Sequence, residues 1–213
     1  MKMKTLWIAV LLSLGMYATE FEQAEEDYRQ GAYIKALNTF YVLAKEENPK
    51  AQYNLGLMYA NGLGAQKDMA QAQQWYEKAA KQGNASAQYN LAQIYYGYGE
   101  KDTHAYEKAK YWYEKAVASG LKEAYNNLGM LYLKAKGVKK DEQKAFALFK
   151  KGAQQGDAIA SLNVALLYAW GKKVPHDKLK AYDYLQVAAK NGKMVASTYL
   201  DRLCRESAWV CKK

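Results

Sequence analysis

Apolar positions along this chain fall at helical spacing, and the same arrangement then returns several times. In AQYNLGLMYANG, Ala51–Gly62, the residues Leu55, Met58 and Tyr59 stand at i, i+3 and i+4, one face of a helix. After the loop NGLGAQKD, the residues Ala72, Trp75, Tyr76, Ala79 and Ala80 stand at i, i+3, i+4, i+7 and i+8. Gly83 follows where a helix would end in the left-handed conformation that glycine tolerates. The first phrase recurs as AQYNLAQIYYGYG from Ala87, AYNNLGMLYLKAKG from Ala124 and ASLNVALLYAWG from Ala160.

The alanines Ala51, Ala87, Ala124, Ala160 and Ala196 lie 36, 37, 36 and 36 residues apart, a period that signals stacked repeats. A second set, Ala72, Ala109, Ala145 and Ala181, is followed by Gly83, Gly120, Gly156 and Gly192, so each unit predicts two helices. The loops between them close on Asp68, Asp141 and Asp177, placed to cap the second helix. Ala105 interrupts that pattern, which moves the cap of the 37-residue unit to Asp102 or Thr103. Small residues recur at Gly56, Ala92, Gly129 and Ala165, where two helices would approach, and Trp75, Trp112 and Phe149 are the expected fillers between pairs. A lone hairpin cannot bury both of its faces, but stacked hairpins bury them on one another. The expected fold class is all-α, a right-handed α-solenoid of stacked antiparallel helix pairs with a concave face lined by first helices.

These residues resemble the Sel-one-like repeat family. Its pattern of A-x-Y-N-L-G-x-x-Y, a glycine-containing loop, Asp, then A-x-x-W/Y-Y/F and a closing Gly is met in register from about Ala51 to Leu203. Residues 20–50 look instead like a shorter tetratricopeptide hairpin, with Pro49 where that family carries proline. Residues 51–194 then form four repeats, and residues 195–213 resemble a first helix without its partner, a C-terminal capping helix and tail. Cysteine-rich relatives pair cysteines at positions matching Ala80 and Gln88, which this chain lacks.

Composition narrows the picture further. Half of the 213 residues are hydrophobic, which excludes a disordered chain. The formal charge of +10 comes from 28 Lys and 3 Arg scattered among Glu, Gln and Asp, not from the basic stripe of a nucleic-acid site, so no nucleic-acid partner is expected. Lys2 and Lys4, the apolar run Leu6–Leu14 and the small residues Gly15 and Ala18 have the order of a secretory signal peptide over residues 1–18, too short to span a bilayer. Membrane contact would be confined to that segment, and the expected compartment is a bacterial periplasm or the exterior.

Candidate chemistry is sparse. His104 and His176 sit in separate loops without a cluster of ligands, so no metal and no cofactor is expected. Some secreted, cysteine-rich relatives carry a β-lactamase or penicillin-binding label. Ser119-Gly120-Leu121-Lys122 does fit S-x-x-K and Tyr59-Ala60-Asn61 fits Y-x-N, but K-T-G is absent, which leaves a cell-wall hydrolase as the alternative reading. Cys204 and Cys211 would lie about 10.5 Å apart on a continuous helix, beyond the reach of a disulfide. Either the helix breaks near Glu206–Ala208 and the two pair, or both stay as thiols.

One column is left over by core packing. Asn is a poor helix former, yet Asn54, Asn90, Asn127 and Asn163 hold the same place in four successive first helices. Each amide either fixes the stacking of its neighbour or joins a ladder along the concave face that binds an extended peptide, a role that the likeness to tetratricopeptide domains implies. Tyr53, Tyr89 and Asn126 should share that face, with Tyr96 and Trp170 near its rim. The expected function is an exported, monomeric, non-enzymatic scaffold, with a protein, a peptide or a cell-wall glycan strand as its partner.

Overall fold

A computed structural model of the chain describes residues 19–212. Regular structure among them is entirely helical. The chain runs through α1 (19–29), α2 (Tyr33–Lys45), α3 (Pro49–Asn61), α4 (Met69–Lys81), α5 (Ala85–Tyr98) and α6 (His104–Ala118). It continues through α7 (Lys122–Lys134), α8 (Glu142–Gln154), α9 (Ala158–Trp170), α10 (Lys178–Lys190), α11 (Val195–Glu206) and a 3₁₀ turn, Ala208–Cys211. Two compact units divide inside α5, between Leu91 and Ala92. In the first, α2 packs on α3 and α3 on α4; in the second, each helix from α6 to α11 packs on the next, and α7 also touches α9. This is the all-α architecture of stacked helix pairs that the repeated phrase predicts. Residues 1–18, where a signal peptide is expected, lie outside the described residues, and no helix among those described is long and apolar enough to cross a membrane.

The helix boundaries follow from local chemistry. Asp68 accepts hydrogen bonds from the N–H groups of Ala70 and Gln71, Asp141 from Lys144 and Asp177 from Lys180, so the expected caps form. In the 37-residue unit Thr103 makes no cap bond, and Asp102 accepts from the His104 N–H at 3.0 Å instead. First helices have caps of their own: Asn48, Asn84 and Asp157 each accept a backbone N–H at the helix start. Gly83, Gly120, Gly156 and Gly192 have φ of 87°, 86°, 86° and 85°, the left-handed turn that closes each pair.

The core of each pair, except the last, where leucine takes the place, is a ring set against a residue with little or no side chain. Phe40, Tyr76, Tyr113, Phe149 and Leu185 recur at the period of the repeat, all at most 3% exposed. A methyl added to Gly56 would stand 2.7 Å from the Tyr76 ring, and one added to Gly129 would stand 2.6 Å from the Phe149 ring. This corrects the expected filler column at Trp112, while Trp75, buried against Tyr41 of the preceding pair, and Phe149 are core residues as expected. Trp112 stands one position before the buried Tyr113, half-exposed with its ring edge-on to Tyr111 at 5.0 Å. Trp75 is buried under Lys78, whose Nζ lies 4.2 Å from the ring centroid, while Tyr76 beside it fills the hairpin. The buried Gln52 and Gln88 hold equivalent places and donate to the carbonyls of Ala44 and Ala80, each at 3.1 Å, which satisfies the end of the preceding helix.

At the C-terminus α11 ends at Glu206, Ser207 turns with φ −155°, and the 3₁₀ turn carries Cys211 back until its Cα lies 5.7 Å from that of Cys204, to which it is joined by a disulfide. The helix therefore breaks inside the expected span.

The rings give a direct stability test. Phe149→Ala should cost about 3 to 5 kcal/mol and Trp112→Ala about 1 kcal/mol. Gly129→Ala should destabilise even though alanine favours a helix by about 1 kcal/mol, because overpacking costs about 1 to 3 kcal/mol. Urea unfolding checks all three, and a stabilised Gly129→Ala would contradict the ring contact.

Candidate functional site

The asparagine column is engaged chiefly by tyrosines of second helices. In the first unit Asn90 hydrogen-bonds the hydroxyls of both Tyr53 and Tyr76, and Tyr53 is also bonded to Ser86. The Tyr53 and Tyr76 rings lie 6.0 Å apart. Burial pushes both phenols above the ordinary tyrosine range, Tyr76 far above it, and the Asn90 amide pulls part of the way back.

In the second unit the amides form a relay in which every donor points the same way. Asn163 donates to Asn126 at 2.7 Å, Asn126 to Asn127 at 3.2 Å, Asn127 to the Tyr113 hydroxyl at 3.5 Å, and Tyr113 to Gln93 at 2.8 Å. Groups polarised in series strengthen one another in a low-dielectric setting. What each asparagine does depends on the ring one helix earlier. Tyr76 and Tyr113 offer hydroxyls to Asn90 and Asn127. Phe149 offers none, and Asn163 turns to Asn126 instead.

Two cavities open beside this column at matching positions. One, about 370 Å³, is lined in the first unit by Glu25, Tyr28 and Arg29 of α1, Phe40 of α2 and Asn54 and Leu57 of α3. The other, about 260 Å³, is lined in the second unit by Gln93 and Tyr96 of α5, Tyr113 of α6 and Asn126, Asn127 and Met130 of α7. Phe40, Asn54 and Leu57 precede Tyr113, Asn127 and Met130 by 73 residues, two repeats. Glu25 and Tyr28 keep the spacing of Gln93 and Tyr96. A larger opening, about 860 Å³, lies between the start of α2 and the Gly62–Ala65 loop. Its walls are mainly turn residues, and its lysine, Lys35, is bound to Asp27 at 3.1 Å, so few polar groups converge there.

The expected site residues therefore separate into groups. Tyr53 and Asn90 are joined in the first unit, where Asn54 lines the larger of the paired cavities. Tyr96, Asn126 and Asn127 meet at the smaller one, and Asn163 reaches them through Asn126. Tyr89 is half-buried on α5 and lines none of these cavities. Trp170 docks the C-terminal helix: its Nε1 donates to Glu206 at 2.9 Å, Arg202 lies 4.5 Å from its ring centroid, and Tyr199 packs against it at 5.9 Å. Ser119 is exposed where α6 ends, and neither it nor Lys122 lines these cavities. Among the described residues no group of three or more His, Cys, Asp or Glu could hold a metal ion.

Comparison with known proteins gives consistent results. The Sel1 repeat profile matches residues 49–84, 85–121, 122–157 and 158–193. The crystal structure of a Sel1 repeat protein from Oxalobacter formigenes is 32% identical, covering 84% of this chain and 75% of that one, with a TM-score of 0.75. A protective antigen present in uropathogenic Escherichia coli strains, displaying an SLR fold, is 33% identical with a TM-score of 0.81. That match covers 89% of this chain but 42% of the antigen, so this chain spans less than half of it. The immunity protein PA5088 from Pseudomonas aeruginosa, 23% identical over 83% of this chain and 68% of its own with a TM-score of 0.54, shares the fold alone. No curated protein matches the sequence.

Two measurements test the column. Asn90→Ala and Asn127→Ala should each lower stability by about 1 to 2 kcal/mol, because the tyrosine hydroxyls left behind outweigh alanine's helix preference of about half a kcal/mol. Urea midpoints unchanged from those of the parent chain would refute the structural role. Separately, Tyr53 and Tyr76 keep their protons in the fold above the pH at which an unfolded tyrosine ionises, about 10. Their contribution to stability is full below about pH 10 and is lost as the pH rises further. Unfolding at about pH 9 and about pH 11 should show that loss, and Tyr76→Phe should reduce it.

Proposed function

This chain belongs to the Sel1 repeat family, and from that premise we propose that it is a binding scaffold that takes an extended segment of another protein on the faces that its first helices present in each unit. The carrying observation is the recurrence of one cavity, built from the same register positions in each unit. A pocket that recurs at the same register positions of a repeat suits an extended ligand, whose side chains also recur at regular intervals. Aromatic walls supply contact area and neighbouring amides pair with backbone groups. Export accompanies this role: the order of residues 1–18 and the Cys204–Cys211 disulfide both suit an oxidising compartment outside the cytosol.

Selection of a displayed peptide library on the chain should yield binders that depend on this face. Leu57→Lys and Met130→Lys place a charge in the two cavities and should weaken the selected peptides at least about tenfold, while Lys139→Ala, in an exposed loop, should leave them unchanged. Binding indifferent to both cavity variants would sink the role. Thiol titration of protein recovered from whole cells should find no free thiol, and two free thiols would contradict export.

A further inference from the structure

The two cavities differ in how far their polar groups are already engaged. In the second unit the Tyr113 hydroxyl donates to Gln93 and receives from Asn127, so the wall satisfies itself. In the first unit Phe40 stands where Tyr113 would, and Glu25 stands where Gln93 would. Without that hydroxyl the half-buried Asn54 amide makes no side-chain hydrogen bond among the described residues, and the exposed Glu25 carboxylate forms no ion pair among them. Arg29, the one cation in the wall, is bound to Glu26 at 2.8 Å.

These features select a ligand group. The cavity holds about 370 Å³ and offers apolar surface from Tyr28 and Leu57, with the buried Phe40 ring as its floor. It also offers two acceptors, the Glu25 carboxylate and the Asn54 carbonyl oxygen, and the one cation in its wall, Arg29, is paired with Glu26. A long apolar stem ending in a cation matches all of it: the stem covers Leu57, the charge lies over the Tyr28 ring, and its N–H groups meet both acceptors. Charge points the same way. The chain carries a net +10, yet α1 carries Glu20, Glu22, Glu25, Glu26 and Asp27 against Arg29. A basic segment is therefore attracted here and repelled by most of the remaining surface.

Resting on the peptide-binding role proposed above, we infer that the cavity formed by Glu25, Tyr28, Phe40, Asn54 and Leu57 receives a lysine or arginine side chain of the bound segment. The second unit's cavity, closed by its own hydroxyl, has no such preference.

Terminally blocked, glycine-flanked pentapeptides with lysine, norleucine or glutamate at the centre serve as probes, titrated into the whole ¹⁵N-labelled chain and followed by NMR. The lysine peptide should shift the Asn54 side-chain amide signals and bind about tenfold tighter than the norleucine peptide, the factor set by a charged hydrogen bond and a cation over a ring. Glu25→Gln should erase that advantage. Phe40→Tyr, which supplies the missing hydroxyl, should weaken the lysine peptide by a similar factor; if it does not fold, the surface change Glu25→Gln decides. Lysine and norleucine peptides binding this cavity equally would overturn the basic preference and leave the scaffold role standing. Shifts confined to other surfaces would also overturn it, and no shift with any peptide would overturn the preference and count against the scaffold role as well.

Discussion

The rings of Tyr76 and Phe149 lie so close to Gly56 and Gly129 that neither glycine has room for a methyl group. This contact sets how near the two helices of a pair come, and with it the height of each layer in the stack. Interiors packed to this density do not yield gradually. Each hairpin is therefore a nearly rigid tile, and the apolar faces it cannot cover by itself are what the next tile covers. The caps at Asp68, Asp141 and Asp177 and the left-handed glycines trim the tile to length. They act at its edges, while the ring acts at its centre.

The same ring has a second consequence at the surface. Its far edge reaches the asparagine column, so the choice between tyrosine and phenylalanine decides whether the neighbouring amide is occupied. Tyr113 closes its cavity with a hydroxyl, and Phe40 leaves its cavity open. A single oxygen atom, together with Glu25 in place of Gln93, thus separates the polar linings of two cavities built at matching positions. A repeat can vary its binding surface in this way without disturbing the packing beneath it.

Much of this was legible in the residues. The alanine and glycine markers placed the helix pairs, and the aspartates before second helices named their own caps. The caps of the first helices were missed, although Asn84 and Asp157 follow the closing glycines Gly83 and Gly156 directly and are the right residue types for the position. Trp112 was misread because it aligns with Trp75 and is larger than its neighbour; volume suggested a filler, whereas helix phase buries Tyr113 instead. The asparagine column was visible as a column, but its partners were not, because they depend on rings roughly 14 residues earlier on another helix. Trp170 reads as a rim residue from its aromatic character, and its neighbours, Tyr199, Arg202 and Glu206, belong to the capping helix, whose side chains depart from those of the repeat.

The C-terminal arrangement gives the second unit a direction. A quasi-one-dimensional stack loosens at its ends, where a layer has a neighbour on one side only. Here the final layer is held to the earlier helices by Trp170 of α9 against α11 and by the Lys178 ammonium of α10 on the Ser207 hydroxyl, while the covalent ring from Cys204 to Cys211 folds the tail back onto α11 itself. Under a pulling force, or before an exopeptidase, the last residues cannot be drawn out one by one, because the covalent ring makes α11 and its tail yield as one piece.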